Sequence, residues 1–285
     1  DFYFRRTKIK KQLVVMIVLL SVVAIVNAQE TAPETMIEGV KTTVDNTFVS
    51  KYIWRGFNVY GSHGAWQPSV DFAFENGFSA NIWMSHPIGS GQNDAGAPIN
   101  DLDEANYTLA YGNSVMEDVY QTNYTVGWRY YDFYDTDRPS ADNNMQELFV
   151  EFDMPNIIGN GFTPRGAVYQ MWPNSGGGAN SSAGGTIVSV GVGYDFTLDQ
   201  APELPMTATW DIVYNGGAGA PTEAGYAVGD VVHDWSHQVF SLSTAIECPW
   251  TDGKFVPAIY WQNSFEDSVN DSDELWAGLS FVLGF

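Results

Sequence analysis

The sequence predicts an all-β protein, a single up-and-down antiparallel transmembrane β-barrel of about twelve strands. Three observations support this prediction. Aromatic residues make up 15% of the chain, far more than a disordered acidic chain carries. Residues 1–28 have the pattern of an export signal. The last strand is amphipathic, since side chains alternate between its two faces and one face is wholly apolar. That face comprises Leu275, Ala277, Leu279, Phe281, Leu283 and Phe285.

The export pattern sets the domain boundaries. Basic residues between Arg5 and Lys11 precede the apolar stretch Leu13 to Val26, and the small residue Ala28 stands at the expected cleavage position. The apolar stretch is shorter than the about 20 residues that a membrane helix needs. We therefore expect a cleaved signal peptide at 1–28, a short periplasmic segment at 29–42 and the barrel at 43–285.

The charge balance narrows the range of partners. The chain has 12 Lys and Arg against 34 Asp and Glu, and without residues 1–28 the balance is 7 against 33, a net charge of −26. Such a surface repels nucleic acid and attracts cations. One cysteine excludes an intramolecular disulfide, and four histidines leave little material for a zinc site. The acidic groups at 94–104 and 267–274 lack EF-hand spacing. We expect neither a metal nor a cofactor.

Alternating apolar and polar residues predict the strands one by one. The clearest hairpin joins the second and third strands, where Asn76-Gly77 is a preferred pair for a two-residue turn. The predicted strands are about 43–56, 66–75, 78–86, 102–112, 119–131, 145–154, 164–172, 186–196, 205–214, 236–247, 254–263 and 274–285.

The connections between these strands also favour a membrane barrel. Those after even strands are short or compact, and those after odd strands are long, glycine-rich or acidic. Outer-membrane barrels combine short periplasmic turns with long outer loops, whereas a soluble sandwich gives no reason for this parity. The acidic residues of the strands fall on the polar face, which in a barrel lines a wet lumen. Glu147, Glu151 and Asp153 are close together on that face.

One segment suggests a family. The segment Phe48-Val49-Ser50-Lys51-Tyr52-Ile53-Trp54-Arg55-Gly56-Phe57 resembles the first-strand signature of the TorF-type porins, which are exported β-barrel proteins. Their proline-containing second strand, glycine hairpin and tryptophan-bearing third strand would correspond to Pro68 to Phe74, Gly77 and Ile82-Trp83. The similarity covers roughly residues 44–85, and the long third, fourth and fifth outer loops depart from the family. The resemblance implies a porin-like barrel and gives neither a solute nor catalytic residues.

Two arginines are the candidate lumenal cations. We expect Arg55, with Lys51 on the same face, and Arg129 to stand opposite the carboxylates of the lumen. Such a pairing creates a transverse field at a constriction, which selects solutes by charge. The alternative is that the arginines only neutralise carboxylates inside a narrow barrel filled by side chains. The predicted lumen and constriction residues are Arg55, Arg129, Asp71, Glu147 and Glu151.

The predicted function is a porin-like channel of the bacterial outer membrane for passive diffusion of small solutes, with a preference for cations. The alternative is a non-conducting barrel that has a structural, adhesion or receptor role through acidic loops. The segment His233-Asp234-Trp235-Ser236-His237 collects hydrolase-type residues, but a triad needs a geometry that local sequence cannot supply, so we expect no enzyme. The expected partners are outer-membrane lipid, small solutes or cations, and the barrel-assembly machinery. The resemblance implies that this machinery recognises the terminal Phe285.

Overall fold

The computed structural model describes residues 39–93, 98–99, 103–133, 144–174, 184–219 and 232–285. The predicted signal peptide and residues 29–38 lie outside the described residues. In the described part, no helix is long and apolar enough to cross a membrane. One short 3-10 turn covers Asp118–Tyr120. The strands are β1 Val40–Val49, β2 Ile53–Trp54, β3 Phe57–Asn58, β4 Gly64–Phe74, β5 Phe78–Ile88, β6 Glu104–Val115, β7 Thr122–Phe133, β8 Met145–Asp153, β9 Phe162–Pro173, β10 Gly185–Leu198, β11 Ala201–Gly216, β12 His233–Thr244, β13 Ile246–Glu247, β14 Lys254–Ser264 and β15 Glu274–Gly284.

Twelve of these strands close into a barrel wall. Each wall strand pairs antiparallel with its neighbours in chain order, and β15 pairs with β1 to complete the ring. The backbone N–H of Thr42 donates to Phe285 O over 3.0 Å, and the N–H of Phe285 donates to Thr42 O over 2.8 Å. The predicted twelve-stranded up-and-down barrel is therefore confirmed. The two-residue strand β13 continues the β12 edge of the wall. The strands β2 and β3 are not part of the wall and form a separate two-stranded sheet.

The two ends of the barrel differ as the sequence predicts. Short connections join β4 to β5, β6 to β7, β8 to β9, β10 to β11 and β12 to β14 at one end. At Gly77 the backbone is left-handed, with φ 89°, and the Gly77 N–H donates to Phe74 O. That conformation explains the Asn76-Gly77 signal, because glycine adopts positive φ without a steric penalty. The longer connections all emerge at the opposite end.

The apolar face of the wall points outward. Leu109, Leu148 and Val190 are 59%, 54% and 51% exposed, although each lies within a paired strand. The opposite face of the same wall, which lines the lumen, carries Glu147 and Gln262, both completely buried. A soluble protein has the reverse arrangement, with apolar side chains inside and charges outside. An apolar exterior around a polar interior is the architecture of a barrel that crosses the bacterial outer membrane.

The first strand differs from the prediction. The sequence predicts one strand over 43–56, but β1 ends at Val49 and the chain then turns into the lumen. The strands β2 and β3 form a small inward hairpin, with Ile53 opposite Asn58 and Arg55-Gly56 at the turn. Both turn residues have positive φ, 48° and 97°, which matches the hairpin turn that follows the right-handed strand twist. The prediction was wrong here because the alternation of side chains in residues 50–56 is compatible with a continuous strand and with a hairpin alike.

The segment 50–63, which we call the lumen hairpin, fills the half of the barrel next to the long loops. Tyr60 and Phe57 are completely or almost completely buried, and Tyr52 is 6% exposed. Trp54 packs against three separate apolar clusters inside the barrel. One of these clusters belongs to the wall itself and comprises Tyr131, Phe133, Met145, Met171, Ile187, Val213 and Ala218. The hairpin therefore has an apolar core of its own within the lumen.

Candidate functional site

The turn of the lumen hairpin reaches the far wall of the barrel. The hairpin leaves β1, yet the Arg55 guanidinium pairs with Glu147 on β8 and lies 3.6 Å from the ring centre of Tyr169 on β9. In the closed wall, β9 is six strands from β1 in either direction. The Nη2 of Arg55 donates to Oε1 of Glu147 over 2.9 Å, and Nη1 binds the other carboxylate oxygen. This two-point contact pins the hairpin across the full width of the lumen.

Glu147 is the centre of this contact. Its side chain is completely buried, so its charge needs partners within the protein. Besides Arg55, it accepts from Nη1 of Arg129 over 3.2 Å and from the Tyr131 hydroxyl over 3.0 Å. Arg129 is held in place by a 3.1 Å bond from its Nε to Thr108. The register puts Arg129 and Glu147 directly opposite each other on β7 and β8.

A second buried carboxyl group, that of Glu104, lies near the same cluster. Its side chain interacts electrostatically with both Arg129 and Arg55. Glu104 accepts from the Tyr52 hydroxyl over 3.0 Å and from Nδ2 of Asn106 over 2.8 Å. Burial, reinforced by the nearby Glu104, raises the pKa of the Tyr52 phenol well above its ordinary value. Tyr52 therefore stays a neutral donor and ties the hairpin to β6.

Gly56 fits the tip of the hairpin against β14, across the lumen from Glu147. Its carbonyl accepts from Nε2 of Gln262 over 2.9 Å and from Nδ2 of Asn270 over 3.2 Å. A Cβ atom at this position would lie 2.5 Å from Cε1 of His237 and 2.8 Å from Cγ1 of Val269. With φ at 97°, only glycine suits both the backbone and the space.

The base of the hairpin is fixed to β15. Nζ of Lys51 lies 2.6 Å from Oε2 of Glu274, and Nδ2 of Asn58 donates to Oε1 of the same carboxylate over 2.8 Å. Lys51 is thus placed away from Arg55, although the sequence predicts that they share a face. The lumen hairpin is held at its base by β15 and at its tip by β8, β9 and β14.

A cavity with both charged and apolar walls lies between the hairpin tip and the short turns. Its volume is about 590 Å³. A bidentate ion pair forms part of its wall, with Nε of Arg165 donating to Oδ1 of Asp211 over 2.9 Å and Nη2 binding the second oxygen. Gly191 makes room for this pair, since a Cβ there would lie 2.1 Å from the Asp211 carboxylate. The chemically functional lining residues are Arg55, Glu151, Asp153, Arg165, Asp211 and Tyr260.

The predicted site residues are brought together in part. Arg55, Arg129 and Glu147 form one hydrogen-bonded cluster, and Glu151 accepts from the Tyr169 hydroxyl beside it over 2.9 Å. Asp71 does not join them. It lies on β4, three residues from the short turn, and accepts from Nδ2 of Asn81 over 2.8 Å.

Sequence reasoning missed several other residues of the site, four of them on the wall strands. Tyr131 and Tyr169 bind the carboxylates, Gln262 holds the hairpin tip, and Arg165 pairs with Asp211. Strand parity puts all four on the lumen face together with Glu147. Strand parity alone could have predicted that these side chains face the lumen. It could not have predicted their hydrogen-bond partners, which come from the inward hairpin and from distant strands.

The hydrolase-type segment does not assemble a triad among the described residues. Oδ1 of Asp234 accepts from the backbone N–H of Trp235, and Oγ of Ser236 donates to Val213 O. Ser236 and His237 do approach each other, with Oγ and Nδ1 2.9 Å apart. His237 is buried beneath Gly56, so it serves as part of the surface that receives the hairpin.

Comparison with solved structures finds porins with the same architecture. The KdgM porin is 9% identical, with 85% of this chain and 99% of that chain covered and a TM-score of 0.49. The NanC porin is 8% identical, with 84% and 98% covered and a TM-score of 0.49. Pseudomonas aeruginosa OprD is 9% identical, with 90% and 97% covered and a TM-score of 0.35. These values are too low to support more than the general likeness of the barrel.

Comparison with known protein families gives no match, and comparison with curated proteins gives none either. The resemblance to the TorF-type porins is therefore not confirmed. The structure adds that the residues carrying that resemblance build both β1 and the lumen hairpin.

The buried position of Glu147 generates a stability prediction. Glu147→Gln keeps the shape but leaves two arginines without their shared carboxylate, and breaking a buried ion pair in this way costs about 3–5 kcal/mol. We expect a corresponding loss in the free energy of unfolding, measured by urea titration of the barrel in lipid vesicles. The control is Glu247→Gln, which removes an exposed partner of Lys254 and should change stability little. Equal effects of the two variants would contradict a structural role for Glu147.

Proposed function

We propose that this protein is a porin-like outer-membrane channel for small solutes, with the lumen hairpin as its constriction and a preference for cations. The contact between Arg55 and Glu147 carries the proposal, because it holds the hairpin across the lumen and leaves a cavity with charged walls beside it. A narrow polar passage past such a contact selects by size and charge. Twelve strands make a barrel intermediate between filled small barrels and open porins.

The second candidate is a non-conducting barrel that acts through its outer loops. A specific observation favours it, since Tyr52, Phe57 and Tyr60 are all buried in the half of the lumen next to those loops. Packing of this kind excludes water when the hairpin is seated. The two candidates therefore differ in one property, which is whether the hairpin leaves or opens a path for ions.

The charges of the lumen favour cations. Several lumen-facing acidic residues form no ion pair among the described residues, and they include Asp45, Asp71, Glu151, Asp153 and Asp195. On the basic side, Arg55 and Arg129 pair with Glu147, and Arg165 pairs with Asp211. Lys41 lies on the same face of β1 as Asp45, and the acidic residues of the described lumen face still outnumber the basic ones. A lumen with this balance concentrates cations and excludes anions.

Conductance in a planar bilayer tests the channel. We expect small single-channel currents from the native protein and an increase of at least about twofold for Arg55→Ala, because the hairpin loses its far anchor. Glu117→Gln, which changes an exposed residue of the turn between β6 and β7, is the control and should leave the current unchanged. If neither the native protein nor Arg55→Ala conducts, the non-conducting candidate is correct.

The reversal potential across a KCl gradient tests the cation preference. We expect the native channel to favour potassium, most strongly at low salt where screening is weak. The double variant Glu151→Gln, Asp71→Asn should move the reversal potential toward zero, since it removes two carboxylates without ion partners. Asp252→Asn, an exposed residue of the short turn between β13 and β14, is the control and should move it little. A chloride-selective native channel would show that the arginines control the passage.

We also propose that Phe285 contributes to assembly. Its backbone completes the pairing of β15 with β1, and its ring packs against a cluster of wall residues that includes Val44 and Val70. Phe285→Ala should lower the fraction of protein that shows heat-modifiable mobility in outer-membrane extracts. Phe285→Tyr, which keeps an aromatic ring, is the matched control. A normal folded fraction for the alanine variant would exclude this role.

A further inference from the structure

We propose that the cavity beneath the lumen hairpin is a binding site for small organic cations. This inference rests on the proposed channel function and deepens it by naming the class of solute. Binding itself requires no conduction, so the two can be tested separately. The cavity volume of about 590 Å³ lies within the range of about 300–1,000 Å³ that is usual for small-molecule sites.

Two carboxylates of the cavity have neutral hydrogen-bond partners and no ion pair in the described part of the chain, although Arg165 stands opposite Asp153 in the β8–β9 register. Glu151 and Asp153 both line the cavity and have no ion-pair partner among the described residues. Neutral groups bind them instead, the Tyr169 hydroxyl at 2.9 Å and Nδ2 of Asn123 at 2.8 Å. Each carboxylate has several acceptor positions, so capacity remains for a charged donor. The two cations nearby, Arg55 and Arg165, are already paired with Glu147 and Asp211.

A buried acceptor without a partner gives independent support. Gln262 lines the same cavity and is completely buried, and its Oε1 accepts no hydrogen bond from the described residues. Its Nε2 is used by the hairpin, since it donates to Gly56 O over 2.9 Å. An unpaired buried acceptor costs free energy until a donor reaches it. An N–H group of a bound ligand would satisfy it.

An aromatic pair forms another part of the lining. Tyr260 and Trp276 both border the cavity, and their rings stack with centres 5.0 Å apart and an angle of 12° between planes. Aromatic faces attract cations and also pack against flat apolar groups. Carboxylates, a free carbonyl acceptor and an aromatic face together fit a ligand that has a protonated amine and an apolar body. An anion would instead meet two carboxylates without an ion pair among the described residues.

Calorimetric titration of the detergent-solubilised full chain tests the proposal with three probes of one shape. We expect benzylamine, which is protonated at neutral pH, to bind, while benzyl alcohol and benzoate do not. The double variant Glu151→Gln, Asp153→Asn should lower benzylamine affinity about tenfold, the effect of losing charge-assisted hydrogen bonds. Trp276→Leu should also weaken binding. Asp195→Asn, a lumen-facing acid outside the cavity, is the matched control and should bind benzylamine normally.

The possible outcomes distinguish a failure of the binding site from a failure of the channel proposal. Equal binding of benzyl alcohol and benzylamine would overturn it, since charge would then play no part, and so would the absence of benzylamine binding. The comparison of probes on the native protein stands even where a variant fails to fold. Benzylamine binding by a protein that conducts nothing would support the site and reject the channel. Conduction without binding would do the opposite.

Discussion

The interior of this barrel depends on one buried carboxylate. Glu147 has no access to solvent, so it must find its partners within the lumen, and it takes one arginine from the wall and one from the inward hairpin. Because Arg55 reaches it from the opposite wall, satisfying this one charge fixes the position of the whole segment 50–63. The aromatic packing around Trp54 and the fit of Gly56 against His237 both depend on that position.

The architecture follows from the sequence to a large extent. Alternation, the Asn76-Gly77 turn and the parity of connection lengths are local properties, and the wall strands agree with them to within a few residues except at the first. The lumen hairpin was not predictable in this way, because residues 50–56 alternate in a strand and in a hairpin alike. The left-handed backbone at Arg55 decides between the two, and an Arg-Gly pair is a weak indication of it.

The candidate site was predictable as a face but not as a set of contacts. Lumen-facing parity follows from period two, so Glu147, Glu151 and Arg129 could be assigned to one surface. The position of a side chain along the barrel axis and its partners across the lumen depend on strand tilt and on the lumen hairpin. The period-two pattern of the sequence gives no information on either. For that reason Asp71 shares the face of the predicted site but lies near the short turns. The roles of Arg165 and Gln262 can be recognised only in the closed barrel, where their partners are known.

The attachment of the hairpin to β1 has a consequence for how the barrel is made. The strand β1 is one side of the seam where the first and last wall strands pair, and the lumen hairpin continues directly from it. The contacts of the hairpin span 92 residues to Glu147 and 206 residues to Gln262, so they cannot form early from the nascent chain. Closing the seam requires β15, and holding the Gly56 end of the lumen hairpin requires Gln262 on β14. Both therefore depend on the last residues of the chain, and the hairpin and the wall share the same long-range contacts.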